Sequence, residues 1–153
     1  MAHQIYDEFL NQLFTGDIDL DATNEIKVIL CSDLPATGVN DYTDIRTELL
    51  NTTPTLPTVA GTEEYIPTGL PLQNVTVVTE AGTAKFNADD ITWNTTQTIQ
   101  AVCAVLYHNN SSNGIYTKPL MMCFDFGVTK TAIAEDFTIE WNNITDSIFE
   151  ISS

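Results

Sequence analysis

The second half of the chain alternates apolar and polar positions with a period of two. TIQAVCAVLYH puts Ile99, Ala101, Cys103, Val105 and Tyr107 on one side and Gln100, Val102, Ala104 and Leu106 on the other. Both sides are largely apolar, which predicts a central strand covered on both faces. HNNSSNG predicts the hairpin loop that follows, and IYTKPLMMCFDFG predicts its returning partner. NVTVVTE and AKFNADDITW predict strands joined by a turn at Ala81–Gly82. FTIEW and SIFEIS close the chain as two further alternating strands around the turn NNITD. Upstream, EIKVILCS predicts a strand with Ile26, Val28 and Leu30 facing one way and Lys27, Ile29 and Cys31 the other.

The N-terminus follows another period. In HQIYDEFLNQLF the residues Ile5, Phe9 and Leu13 recur at i, i+4, i+8, widened by Tyr6 and Leu10. This spacing predicts one amphipathic helix over residues ~3–14, ended by Gly16. Residues 33–72 are irregular: Pro35, Pro54, Pro57, Pro67 and Pro71, five of the six prolines, fall there. Proline removes backbone donors and favours edges and loops. A long excursion is expected, with one short helical turn at DYTDIRTELL, either packed on the domain or gripping a neighbour. The pattern predicts a single domain over 1–153, mainly β, an antiparallel β-sandwich or small barrel. Its parts are an N-terminal helix (1–16), a proline-rich arm (33–72) and a strand-rich core (73–153).

Charge narrows the possible partners. Asp and Glu number 21 against 5 Lys and Arg, a net charge of −16. The cations Lys27, Arg46, Lys85, Lys118 and Lys130 are scattered. Phosphate binding requires clustered cations, so no nucleic acid and no anionic membrane is expected as a partner. No apolar run approaches the ~18 residues of a membrane span. No charged n-region leads into an apolar h-region, so no signal peptide is expected. The sequons at Asn51, Asn74, Asn94, Asn109, Asn110 and Asn143 are read as by-products of abundant Asn and Thr.

Candidate chemistry is sparse. Cys31, Cys103 and Cys123 lie far apart in apolar runs, without CxxC spacing, and are expected as buried reduced thiols. Asp17, Asp19 and Asp21 resemble the opening of a calcium loop. Such a loop needs Gly at its sixth position and a bidentate Glu at its twelfth, and Ala22 and Val28 stand there. A solvent-facing turn is the reading preferred over a cation site. His3 and His108 are too few and too separate for metal-dependent hydrolysis, His108 opening a hairpin loop. Asp89–Asp90 and Glu63–Glu64 are adjacent acids expected in an acidic chain rather than a glycosidase pair. Gly61, Gly69 and Gly82 lack phosphate-cradling spacing. Trp93 and Trp141 are expected in the core, each indole N–H with one polar partner, rather than as sugar-stacking platforms. No catalytic, cofactor-binding or metal residue is assigned, no small-molecule substrate is expected, and the chain is expected not to be an enzyme.

Several segments carry a resemblance. YDEFLNQLFTGDIDL runs directly into NEIKVILCS; GTEEYIPTGLPLQNVTV follows mid-chain, then ADDITWNTTQTIQAVCAVLYH, PLMMCFDFG and FTIEWNNITDSIFEIS. In this order they resemble a group of small virion proteins encoded among the structural genes of tailed bacteriophages. The likeness spans most of the chain and rests on packing motifs. It departs at Gly61-Thr62-Glu63-Glu64-Tyr65, where the pattern has a second Gly and Thr, and at NNITDSIF, which lacks the usual Gly. The resemblance implies a head decoration protein binding the major capsid protein and its own copies, assembled in a bacterial cytoplasm into the virion. A tail or head–tail connector component is the alternative, and a carbohydrate-binding module or small hydrolase stands further off.

Overall fold

The computed structural model describes residues 2–21, 25–35, 38–41, 69–94, 98–109, 116, 118–141 and 147–152. They form ten strands and one helix: β1 (Ala2–Ile5), α1 (Asp7–Thr15), β2 (Ile26–Cys31), β3 (Leu70–Pro71), β4 (Thr76–Glu80), β5 (Thr83–Asn87), β6 (Ile91–Trp93), β7 (Ile99–His108), β8 (Leu120–Ala132), β9 (Phe137–Ile139) and β10 (Phe149–Ser152). The fold is mainly β, and every strand pair is antiparallel. A five-stranded sheet runs β1-β8-β7-β2-β3, a three-stranded sheet β10-β5-β4, and a two-stranded sheet β6-β9.

β7 is central, as its two apolar faces predict: it pairs with β2 on one side and β8 on the other, and Ile99, Ala101 and Cys103 through Tyr107 are buried. β8 is longer than its sequence suggests and runs past Gly127. Its ladder with β7 is interrupted. Ala101 pairs with Lys130 but Cys103 pairs with Asp125, so residues 126–129 face Val102 alone. Gly127 makes this bulge possible with φ +73, and its N–H donates to Asp125 Oδ1 at 2.7 Å. A second irregularity at Met121 leaves its carbonyl to accept the N–H of Tyr6 at 3.1 Å.

The helix starts later than the apolar spacing predicts. Residues 2–5 form β1, with Ile5 opposite Met122, because β8 offers an edge that extended backbone satisfies. α1 begins at Asp7 with two acids, Asp7 and Glu8, in its first turn, where they complement the helix dipole. It ends as expected at Gly16, which is left-handed (φ 81), and Asp17 N–H donates to the Gln12 carbonyl at 2.9 Å.

AKFNADDITW is two strands, not one. Ala88–Asp90 break it, so β5 joins the three-stranded sheet and β6 the two-stranded one. The β4–β5 turn is Ala81–Gly82, both with positive φ, the geometry that matches the twist of a hairpin. FTIEW and SIFEIS pair with β6 and β5 rather than with each other. The helical turn expected at DYTDIRTELL and most of the proline-rich arm lie outside the described residues, as do the centres of the loops HNNSSNG and NNITD. The arm's exit is described: Gly69 (φ +74) lies so close to Val28 that a Cβ would collide with the Val28 carbonyl oxygen, and Leu70–Pro71 then pair with β2.

Aromatic rings join the layers. Phe9 meets Phe149 edge-on at 5.8 Å, and Phe149 stacks on Phe86 at 4.9 Å, tying α1 to the three-stranded sheet. Trp93 packs on Phe137, Phe137 on Phe126, and Trp141 on Phe124, tying the region of β6 and β9 to β8.

Candidate functional site

The residues with most chemical potential gather on one face of the five-stranded sheet. Pairing sets Cys31 directly opposite Cys103, and Cys103 beside Asp125, with Cys123 two pairs further along β8, opposite Val105. Three cysteines remote in sequence thus converge, all free and all buried. Cys103 Sγ donates to the Asp33 carbonyl at 3.4 Å, so the segment after β2 covers this face. The Cys123 thiol, hydrogen-bonded to Cys103, favours ionisation of Cys103, but the contact with Cys31, burial and the Asp125 charge prevail and hold its pKa well above the ordinary 9.0. Cys123 is pushed up by its hydrogen bond with Cys103, then by burial and the charges of Cys103 and Asp125. Tyr6 is raised above 10.0 chiefly by burial, and the neighbouring thiols add to it. Thiolates are the nucleophilic and metal-binding form, and here the protonated form is favoured. The buried reduced thiols expected from sequence are found. Their convergence needs the strand register, which no spacing rule supplies.

His108 corrects an expectation. It does not open a loop: it is the last residue of β7, opposite Ile26, and is 1% exposed. Its Nε2 lies 3.5 Å from Glu25 Oε2, an ion-pair separation, and the next backbone N–H, from Asn109, donates to the Glu25 carbonyl at 2.6 Å. Burial lowers the His108 pKa below the ordinary 6.5, against the opposing influence of the Glu25 charge and of Asp19. The parity of Ala104, Leu106 and His108 was the available signal. The side chain belongs to a buried face. His3 lies in β1, its backbone opposite Phe124.

Asp17, Asp19 and Asp21 form a local turn. Thr15 Oγ1 donates to Asp17 Oδ2 at 2.7 Å, and the Asp21 N–H donates to Asp19 Oδ1 at 3.2 Å. The Asp21 carboxyl is raised by its hydrogen bond to Asp19 and by the Asp19 charge. Two of the three carboxylates therefore crowd each other while the third turns to Thr15. Among the described residues no group of three His, Cys, Asp or Glu side chains is arranged to hold a metal ion.

One of the adjacent acids holds a backbone N–H and the other a side-chain amide. Asp90 Oδ1 accepts the Trp141 N–H at 2.9 Å, and Asp89 Oδ2 accepts from Asn74 Nδ2 at 2.6 Å. Glu63–Glu64 lie outside the described residues. Asp41, overlooked in sequence because Asp is usually exposed, is buried and accepts the Lys118 N–H at 2.9 Å, beside the bridge between Asp41 and Pro119. Trp93 and Trp141 are buried, as expected of core residues, but among the described residues neither indole N–H finds the polar partner expected of it. A cleft of about 350 Å³ lies where Gln4–Glu8 approach Pro35, Gly38 and Asn40. Its ionisable side chains are Tyr6, Asp7 and Glu8.

No family model, no curated protein and no solved structure matches this chain.

Proposed function

We propose that this chain is a non-enzymatic structural component of a bacteriophage particle, a decoration protein that binds the major capsid shell and its own copies. The observation that carries the reading is where the apolar surface lies. Among the described residues the large hydrophobic side chains left in water, Leu34 included, do not line the cleft beside Gln4–Glu8 but lie on helix, strand and connecting positions open to solvent. Phe14 is 79% exposed near the end of α1, Val128 is 62% exposed in the β8 bulge, Ile133 follows β8, and Val77 and Val78 occupy β4. Apolar side chains on protruding edges suit protein–protein contact, whereas small-molecule sites are concave. Meanwhile the thiols, His108 and the tryptophans are enclosed within the fold.

The charge fits the same role. A net charge of −16 keeps free copies apart before assembly and disfavours packaged DNA as a competing partner. The order of motifs resembling small tailed-phage virion proteins supplies the particle. The apolar stripe of α1 is committed to the core and is not free for an interface: Phe9 is fully buried against Phe149, with Leu10 and Leu13 packed beside it. That leaves the proline-rich arm (33–72), most of it outside the described residues, and the exposed apolar positions of β4 and the β8 bulge as the surfaces proposed for the shell contact.

The test is stoichiometry on a gel of purified particles. A decoration protein runs at a ratio to the major capsid protein set by the shell lattice. A handful of copies assigns it to the tail or connector instead, and absence from washed particles refutes the structural role.

A further inference from the structure

We propose that two copies of this chain pair along the outer edge of β4, antiparallel and centred on Val78, merging their three-stranded sheets into one of six strands. This deepens the assembly reading by naming the surface through which copies meet. It rests on that reading only for its setting, since the pairing belongs to the isolated chain.

β4 is the outermost strand of its sheet, all five of its residues are exposed, and among the described residues no strand pairs with its outer side. The two-residue turn Ala81–Gly82 closes on the hydrogen-bonded pair Glu80–Thr83. Counting back by alternation, Thr76 and Val78 also exchange hydrogen bonds with β5. The N–H and C=O groups of Val77 and Thr79 therefore point outward. An edge of this kind is a template for another strand.

The side chains agree. Val77 lies on the same sheet face as Phe86 and Phe149, which are buried, yet it is 46% exposed because that face continues past the core. Val78, on the opposite face, is 54% exposed. Two other edges differ: β3 is two residues long and contains Pro71, and β6 is three residues long and follows Asp89–Asp90. β4 has neither proline nor lysine.

Charge selects the occupant. From Leu70 to Ala84 the only charged residue is Glu80, and it faces Lys85 Nζ at 3.3 Å. Copies that each carry −16 meet here with little repulsion. Centring on Val78 uses the whole strand: Val77 pairs with Thr79 of the second copy through outward backbone groups, Thr76 stands opposite Glu80, and Val78 meets Val78. Centring two residues later would set Glu80 against Glu80. A five-residue contact is smaller than the ~1,200–2,000 Å² of a standard interface, so the pair is weak alone and accumulates through repetition in an assembly.

The test uses the full chain. At the two-fold centre, residue 78 faces itself in a non-hydrogen-bonded pair, where Cβ atoms approach within disulfide range. Val78→Cys should form a disulfide-linked dimer on mild oxidation about tenfold faster than Val77→Cys, whose thiols the register sets too far apart. Wild type, with its three thiols buried, is the background. In sedimentation, wild type should dimerise with rising concentration, and Val78→Lys should remain monomeric with an unchanged melting temperature. Equal crosslinking of the two cysteine variants, or a wild type that stays monomeric at millimolar concentration, overturns the pairing. Either result leaves the particle stoichiometry to stand or fall separately.

Discussion

Cys31 and Cys103 stand directly opposite one another across the β2–β7 ladder, each fully buried, with Cys123 diagonal to them on β8. Enclosed, protonated thiols react slowly. Native protein should therefore resist a thiol reagent, and all three cysteines should react once denaturant is added. Counting released thiolate chromophore with and without denaturant checks this. Rapid labelling of even one thiol in the folded protein would place it outside the core.

The same burial sets an alkaline limit. Cys103, Cys123 and Tyr6 have pKa values in the folded protein above those of the open chain. A raised folded value means that the unfolded state ionises first. The stabilisation is complete below the ordinary thiol value of 9.0 and declines as pH rises past it. Each such group contributes a slope of up to about 1.4 kcal/mol per pH unit. Urea midpoints should fall between neutral pH and pH ~10.5, and Cys123→Ser should flatten that fall.

His108 acts at the other end. Its folded pKa is depressed, so the neutral ring is favoured and its contribution is present above the ordinary 6.5 and lost as pH falls below it. Glu25 and Asp19 limit the loss because both favour the charged ring. Wild type should lose stability on going from pH 7.5 to ~5.5, and His108→Gln should lose less over the same interval. Parallel curves for the two proteins would show that the ring does not titrate with unfolding.

Phe9 is core. Phe9→Ala should destabilise the fold by about 3–5 kcal/mol, the range for a large buried aromatic, and Phe9→Glu should fail to fold rather than merely lose assembly. Chemical denaturation of the alanine variant gives the number.

Much of this architecture was legible because its signals are local. The two-sided apolar run of β7 announced a central strand, Gly16 announced the helix end, and Ala81–Gly82 the hairpin turn. What escaped depends on partners distant in sequence. Ile5 has helical spacing with Phe9 and Leu13, but the β8 edge draws residues 2–5 into a strand. Nothing local tells that Cys31, Cys103 and Cys123 share a face, since only the register aligns them. His108 and Asp41 escape for another reason. Polar residues next to loops are usually exposed, and these two are enclosed, His108 beside Glu25 and Asp41 against the Lys118 backbone. The exposed β4 edge was readable as a strand but not as an edge, because that depends on which strands fail to follow it.

The most direct measurement is imaging of purified particles by cryo-electron microscopy, with and without this chain. The decoration reading requires density on the outside of the head, repeated at equivalent shell positions, that disappears when the chain is deleted and returns when purified protein is added back. Heads whose outer surface is the same with and without the chain would contradict it.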